Sequence, residues 1–285
     1  MADFTLKKYK KLLDALVEGG YAFTGFEDYI SSPGDKPTVI LRHDVDLHPE
    51  RAAVLAEIEA SKGIKASYHF RTQKSAFSPE IISKVIQLKH EIAYHYEDLS
   101  SVVKESRHLL KNPDEACDLA YSRFVSNLSL LRQLFPVRVI SMHGDPLSTV
   151  DNRDLWKVHD YKAEGVRCEV YLDIDYSEIM YLTDTGRRWN AFKTNIRDRA
   201  KTNSVNEQEQ AGHYSRPCKS TDDVINLICS DDRPRALIIN THPQRWTSRY
   251  LPWVWELVWQ NTKNVIKYFI GRLRRNRVLI TQTKE

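Results

Sequence analysis

The chain has 285 residues, enough to bury one large core, and its 41% hydrophobic and 28% charged residues are globular values that exclude disordered and fibrous classes. Lys plus Arg exceed Asp plus Glu by only 42 to 38, with the charges interspersed along most of the chain, so nucleic acid is not expected as a partner. The four cysteines form no CxxC pair and suggest neither a zinc knuckle nor a disulfide framework; with no apolar leader and no run of about 18 apolar residues, a reducing, cytoplasmic setting is expected.

Within residues 1–20, Leu6, Tyr9, Leu12, Leu13, Leu16 and Val17 recur with a helical period, and Gly19-Gly20 supplies the stop. After the turn SSPGDKP, the β-branched run TVIL predicts a buried strand that ends in RHDVD. HPERAAVLAEIEASKG reads as a helix closed by Gly63, and IKASYHF as the second strand. SPEIISKVIQLKH carries Ser78 as N-cap and Pro79 at the first helical position, and EIAYH is the third strand. The amphipathic stretch NPDEACDLAYSRFVSNLSLLRQLF leads into the strand VRVISMH; CEVYLDID and MYLTD are read as two more strands, and STDDVINLICS with RALIINTH as a last helix and strand. About seven strands alternating with helices predict βαβ units, a parallel sheet and one barrel-like domain over residues 1–285. The polar segment from Gly186 to Pro217 is read as a long loop, and residues 251–277 as a C-terminal aromatic and basic helix.

Ionisable residues gather at the carboxyl ends of these strands: His43, Asp44 and Asp46; His69; His95 with Glu97 and Asp98; His143 and Asp145; Asp173 and Asp175; Asp184; His242. That is the edge at which parallel α/β folds bind their ligands. His43, His95, His143 and His242 are therefore expected to converge on one mouth, with His69 as a fifth candidate; solvated turns would favour Gly, Asn, Ser and Lys instead. Histidine with carboxylate suits zinc, or another divalent metal such as iron, manganese, cobalt or nickel, with a position left open for water. Asp44 and Asp46 lie two apart and so share a strand face, with Val45 turned the other way; one can bind metal while its neighbour takes a proton.

The blocks HDVD, KHEIAYH, SMHGDP, YLTDTGRRW and NTHPQRW occur in this order over residues 38–246, at strand ends. In this the chain resembles the polysaccharide deacetylase family, carbohydrate esterase family four, in the branch that bears HDVD where most members have TFDDG. The resemblance implies a distorted (β/α) barrel, a divalent metal held by Asp and His, and hydrolysis of an N-acetyl group on a sugar. It gives Asp44 as general base and Asp46 as metal ligand, although the intervening Val45 leaves their exchange open. It makes His95 a ligand and His242 the group that protonates the leaving amine. The family's second histidine of this block falls on Leu99, so the third ligand is sought among His143, Glu97, Asp98 and His69, with His143 expected. Asp173 or Asp175 would orient a catalytic partner. Arg187, Arg188 and Trp189 would contact sugar, as would His69, which stands where the family more often has an aromatic residue.

The expected activity is thus deacetylation of a carbohydrate or of a nucleotide- or lipid-linked sugar, in surface polysaccharide assembly. A metal-dependent hydrolase of another amide or ester, and a barrel that binds glycan without cleaving it, are the alternatives. Trp253, Trp255, Trp259 and Phe269 beside Arg272, Arg274, Arg275 and Arg277 suggest either a helix that closes the barrel or pairs two subunits, or one that touches an anionic membrane surface peripherally. The sequence leaves the oligomeric state open.

Overall fold

The computed structural model describes residues 2–32, 34–145, 148–187, 189, 218–262 and 264. Its elements in order are α1 (Leu6–Glu18), β1 (Ala22–Phe23), α2 (Phe26–Ser31), β2 (Thr38–Val45), α3 (Pro49–Ala60), β3 (Ser67–Phe70), α4 (Pro79–Gln87), β4 (Glu91–Tyr96), α5 (Asp98–Glu105), α6 (Pro113–Arg132), β5 (Val139–Met142), β6 (Cys168–Glu169), α7 (Val170–Asp173), β7 (Met180–Thr183), α8 (Thr221–Ile228) and β8 (Ala236–Thr241). A final helix, α9, covers residues 250–262. Several ends are fixed by side chains that satisfy otherwise unpaired amides: Thr5 accepts from Lys8 N, Ser78 from Ile81 N, and Ser220 with Asp223 closes a capping box on α8.

Seven strands run in the order β6-β5-β4-β3-β2-β8-β7, every pairing parallel, and curl into a half-barrel. The short β1 adds to the start of β2, pairing Ala22 with Thr38. Among the described residues β6 and β7 do not pair, so the barrel stays open between them. Helices cover the outer face, as parallel connections require. The expected strand CEVYLDID keeps only Cys168–Glu169; Val170–Asp173 turn into helix because Glu169 caps Tyr171 N while Asp173 accepts from Glu169 N. The expected loop from Gly186 to Pro217 lies almost wholly outside the described residues, as does the C-terminal segment beyond Asn264. No helix among the described residues is long and apolar enough to cross a membrane.

Strand alternation divides β2 into two sets. Val39, Leu41 and Val45 join the main core with Leu12, Leu16, Leu55 and Tyr68. Ile40 belongs to a smaller cluster with Ala93, Val139, Ile238 and Phe26, which fills the lower part of the half-barrel. Phe26 opens α2, whose first amides are received by Glu91: Oε2 accepts from Phe26 N and Oε1 from Glu27 N, both at 3.0 Å. A Cβ at Gly25 would stand 2.7 Å from Glu91 Oε1, so a side chain there would force that carboxylate to shift. Above this apolar plug the same face of β2 carries Arg42 and Asp44, and the interior becomes polar.

Candidate metal centre

Asp46 leaves the end of β2, His95 stands near the end of β4 and His143 follows β5; β4 and β5 are adjacent and β3 separates them from β2, and the curl of the sheet brings one donor from each to a common point. His143 Nε2 is 3.6 Å and His95 Nε2 3.8 Å from Asp46 Oδ1, and one donor atom from each residue lies within 4.8 Å of the others. Ligands bonded to zinc at ~2.1 Å and tetrahedral angles stand ~3.4 Å apart, so this spacing needs only a small contraction. Asp46 Oδ1 is buried and has no hydrogen-bond partner among the described residues. A buried carboxylate oxygen without a donor is costly unless a cation satisfies it, so the donor set fits a divalent metal with a fourth position open.

The surrounding groups orient the ligands. His95 Nδ1 points at Ser141, 2.9 Å from Oγ and 3.1 Å from the carbonyl oxygen, which leaves Nε2 toward Asp46. Burial, with His143 beside it, holds the His95 imidazole well below its ordinary pKa and therefore neutral. His143 Nδ1 is 3.2 Å from Glu97 Oε2, although not in line for a hydrogen bond. Glu97 is clamped by Arg71, whose Nε and NH2 donate at 2.6–2.8 Å. Burial would raise the Asp46 carboxyl, but His143, His242 and His95 outweigh it and hold it below the usual range.

Asp44 occupies the same face one step lower. Arg42 grips it with Nε at 2.7 Å and NH2 at 3.0 Å, Asn240 Nδ2 donates at 2.8 Å, and its Oδ2 is 3.8 Å from His95 Nε2. Burial raises this carboxyl, and Arg42 more than offsets the effect. Across the site, His242 Nε2 is 3.7 Å from Asp46 Oδ2, while its Nδ1 is 2.7 Å from Asp184 Oδ1. Asp184 is fully buried and also accepts from His242 N, Arg245 NH1 and Trp246 Nε1. Burial disfavours its charge, but Arg245 and His242 pull its pKa down to about 2.

The structure thus brings together Asp44, Asp46, His95, His143 and His242, and separates the other candidates from them. His43 alternates with Asp44, so it faces the helices: Nε2 pairs with Glu59 at 2.8 Å and Nδ1 with Thr241 Oγ1 at 2.6 Å. His69 is fully buried beneath the triad, hydrogen-bonded to Ser141 Oγ and Ser67 Oγ, and presents no surface to a sugar. Trp189 is 2% exposed, packed against Phe4 and Trp246 with its indole N–H on Thr221, so its ring is a core element. Arg187 is buried between the rings of Phe4 and Trp253. Arg188 lies outside the described residues.

Asp173 and Asp175 do not approach His242. Asp173 accepts from Tyr161 and Glu169 N, while Asp175 accepts from Ser177 at the surface. Asp184 takes the orienting position, and its signal was its place directly after β7, since Thr183 pairs with Asn240 two residues before His242. Leu99 is buried in the main core, and Asp98 accepts from Tyr94 and Asn127 away from the triad, leaving His143 as third donor. Arg71 and Glu97 as a clamp carried no motif that would have marked these roles, whereas Gln244, whose Nε2 is 3.5 Å from Asp46 Oδ2, lies in the block NTHPQRW but was given no role there.

A scan against protein-family models finds no match for this chain, and a search of curated proteins finds no relative.

Proposed function

We propose that the chain is a metal-dependent hydrolase that removes an N-acetyl group from a carbohydrate or from a nucleotide- or lipid-linked sugar. The observation that carries this reading is the convergence of three imidazole Nε2 atoms, from His95, His143 and His242, within 3.6–3.8 Å of the Asp46 carboxylate, with Asp44 alongside. The ordered blocks from HDVD to NTHPQRW add the choice of substrate. Asp46, His95 and His143 would hold the metal; when bound, it lowers the pKa of a water toward ~7 and polarises a carbonyl.

Asp44 is the base that takes the proton of the attacking water. Arg42 and Asn240 fix its carboxylate with Oδ2 toward His95, so no rotamer search precedes proton transfer. His242 is the acid. Asp184 receives the Nδ1–H and so sets the tautomer and ring orientation, which leaves Nε2 as the atom that delivers a proton to the departing nitrogen. Zinc suits the mixed His and Asp donors best, and the intracellular, reducing setting belongs to the same proposal.

The test uses protein purified without chelator, analysed for metal content and then assayed for acetate release from N-acetylated oligosaccharides and nucleotide sugars. Activity should vanish on chelation, return with added zinc, and be absent in His242→Asn with metal content unchanged. Stoichiometric metal without acetate release on any N-acetylated sugar would remove the deacetylase assignment and leave the centre; absence of metal binding at neutral pH would remove both.

A further inference from the structure

Ser67 and His69 on β3, Ser141 on β5 and His95 on β4 are all buried, and their side chains form a continuous chain of hydrogen bonds that ends at His95. The direction of each bond follows from counting protons. His95 Nδ1 is 3.1 Å from the Ser141 carbonyl oxygen, which can only accept, so Nδ1 carries the hydrogen and shares it with Ser141 Oγ at 2.9 Å. Arg42 NH2 can only donate, and it gives Ser141 Oγ a second hydrogen bond at 3.1 Å. The hydroxyl has two lone pairs, both now used, and one hydrogen of its own. The neighbour left to receive that hydrogen is His69 Nδ1 at 2.8 Å, so this nitrogen is bare. The His69 proton is then on Nε2, which donates to Ser67 Oγ at 3.0 Å. With the proton on His69 Nδ1 instead, three donors would meet on one oxygen, and the hydroxyl hydrogen would be buried without an acceptor.

The bare nitrogen of His69 therefore decides what Ser141 offers to His95. Without it, the neighbour of the Ser141 hydroxyl that can still accept is His95 Nδ1. A hydroxyl hydrogen donated there requires a bare Nδ1, and the neutral ring then carries its one hydrogen on Nε2. That is the atom 3.8 Å from Asp46 Oδ1, and a metal needs it unprotonated. We propose that His69 is a positioning residue of the metal centre: by accepting the Ser141 hydroxyl hydrogen it keeps the His95 proton on Nδ1 and leaves Nε2 free for the ion. This rests on reading Asp46, His95 and His143 as the metal donors, and it gives a fully buried histidine a role in the site through two successive hydrogen bonds.

The experiment reads the tautomers by long-range proton–nitrogen NMR on the metal-free full chain and the affinity by cobalt(II) titration. Wild type should show His69 as the Nε2–H and His95 as the Nδ1–H form. His69→Leu fills similar space without an acceptor; it should move His95 toward the Nε2–H form and weaken cobalt(II) binding by about 10- to 100-fold. His69→Asn, whose Oδ1 can stand where Nδ1 stood, should restore the Nδ1–H form and most of the affinity. If His69 acted only by filling space, Leu would be the better substitute and this order would reverse, which would overturn the proposal. Ser141→Ala removes the relay, so adding His69→Leu to it should cause no further loss of affinity; an additive loss would count against the proposal, and this holds even if one single variant folds poorly. Wild-type protein that binds cobalt(II) but holds His69 as the Nδ1–H form or as an imidazolium removes this proposal alone. Failure of wild type to bind cobalt(II) removes the metal reading and this proposal with it.

Discussion

Glu97→Gln isolates the group that stands behind the third metal donor. The carboxylate is 3.2 Å from His143 Nδ1 and held in place by Arg71, so the substitution changes charge more than shape. A full ion pair at this distance and an effective dielectric of ~20 is worth ~5 kcal/mol, and a metal-bound imidazole would carry only about a quarter of a charge on this side, so the loss is ~1–1.5 kcal/mol, or about tenfold in metal affinity. The change also leaves the Arg71 guanidinium without its anion, close enough to the centre for NH1 to lie 3.5 Å from Asp46 O, and that cation opposes a dication. The expected weakening is therefore between about 10-fold and 100-fold, the range found when such supporting groups are removed. Cobalt(II) titration at fixed pH, followed by visible absorption and by competition with a chromophoric chelator, measures it directly. Arg71→Gln should move the affinity the other way, because it leaves Glu97 uncompensated. A folded Glu97→Gln protein whose affinity stayed within about twofold of wild type would refute the claim that Glu97 supports the site.

Two further outcomes separate the two faces of β2. The Asp184 carboxyl titrates near 2 in the fold against an ordinary 3.8, so its contribution of about 2 kcal/mol is fully present above the ordinary value and is lost as pH falls through the folded one. Urea denaturation of wild type and Asp184→Asn should therefore show a stability gap near pH 6 that shrinks by about 2 kcal/mol near pH 2; a gap independent of pH would contradict the ion pairing. Glu59, fully buried and met by His43, Tyr9 and Tyr68, belongs to the helix side of the strand. Glu59→Gln should cost about 3 kcal/mol in denaturation while metal affinity stays at the wild-type value, and a parallel loss of affinity would mean that this network reaches the centre.

How far the sequence revealed the site depended on which physical rule governed each residue. The run TVIL ending in HDVD identified β2, and the spacing of Asp44 and Asp46 put both acids on one face. The same alternation excludes His43 from that face, a consequence available from the sequence but overridden by grouping residues at strand ends. Leu99 was legible as a departure because an apolar side chain cannot ligate, and its burial shows what the position does instead. Burial was harder to foresee for Trp189 and His69, since a tryptophan beside a loop and a histidine at a strand end look alike whether they face ligand or core. Arg71 and Glu97 come from different strand ends and meet only through the pairing of β3 with β4, so no local pattern announces them. The helical turn after Glu169 was hidden because the acids that cap it also alternate as a strand would.

The side chains of Arg42, Asp44, Asn240, Ser141 and His69 form one connected polar layer, each member bonded to another of the set, although Arg42 NH1 and Asn240 Oδ1 have no hydrogen-bond partner among the described residues. His95 rests on that layer, and His143 on the Glu97–Arg71 pair, so the spacing of their Nε2 atoms is set by the sheet and not by what lies between them. A metal at Asp46, His95 and His143 would then be a guest of a preformed scaffold, unlike the metal that nucleates a small zinc domain. Such an ion would add stability by mass action, according to its concentration relative to its dissociation constant, and would be expected to exchange without unfolding the chain. A scaffold of this kind would accept whichever divalent ion the cell supplies at sufficient activity, so a metal found in the purified protein would report the growth medium as much as the preference of the ligands.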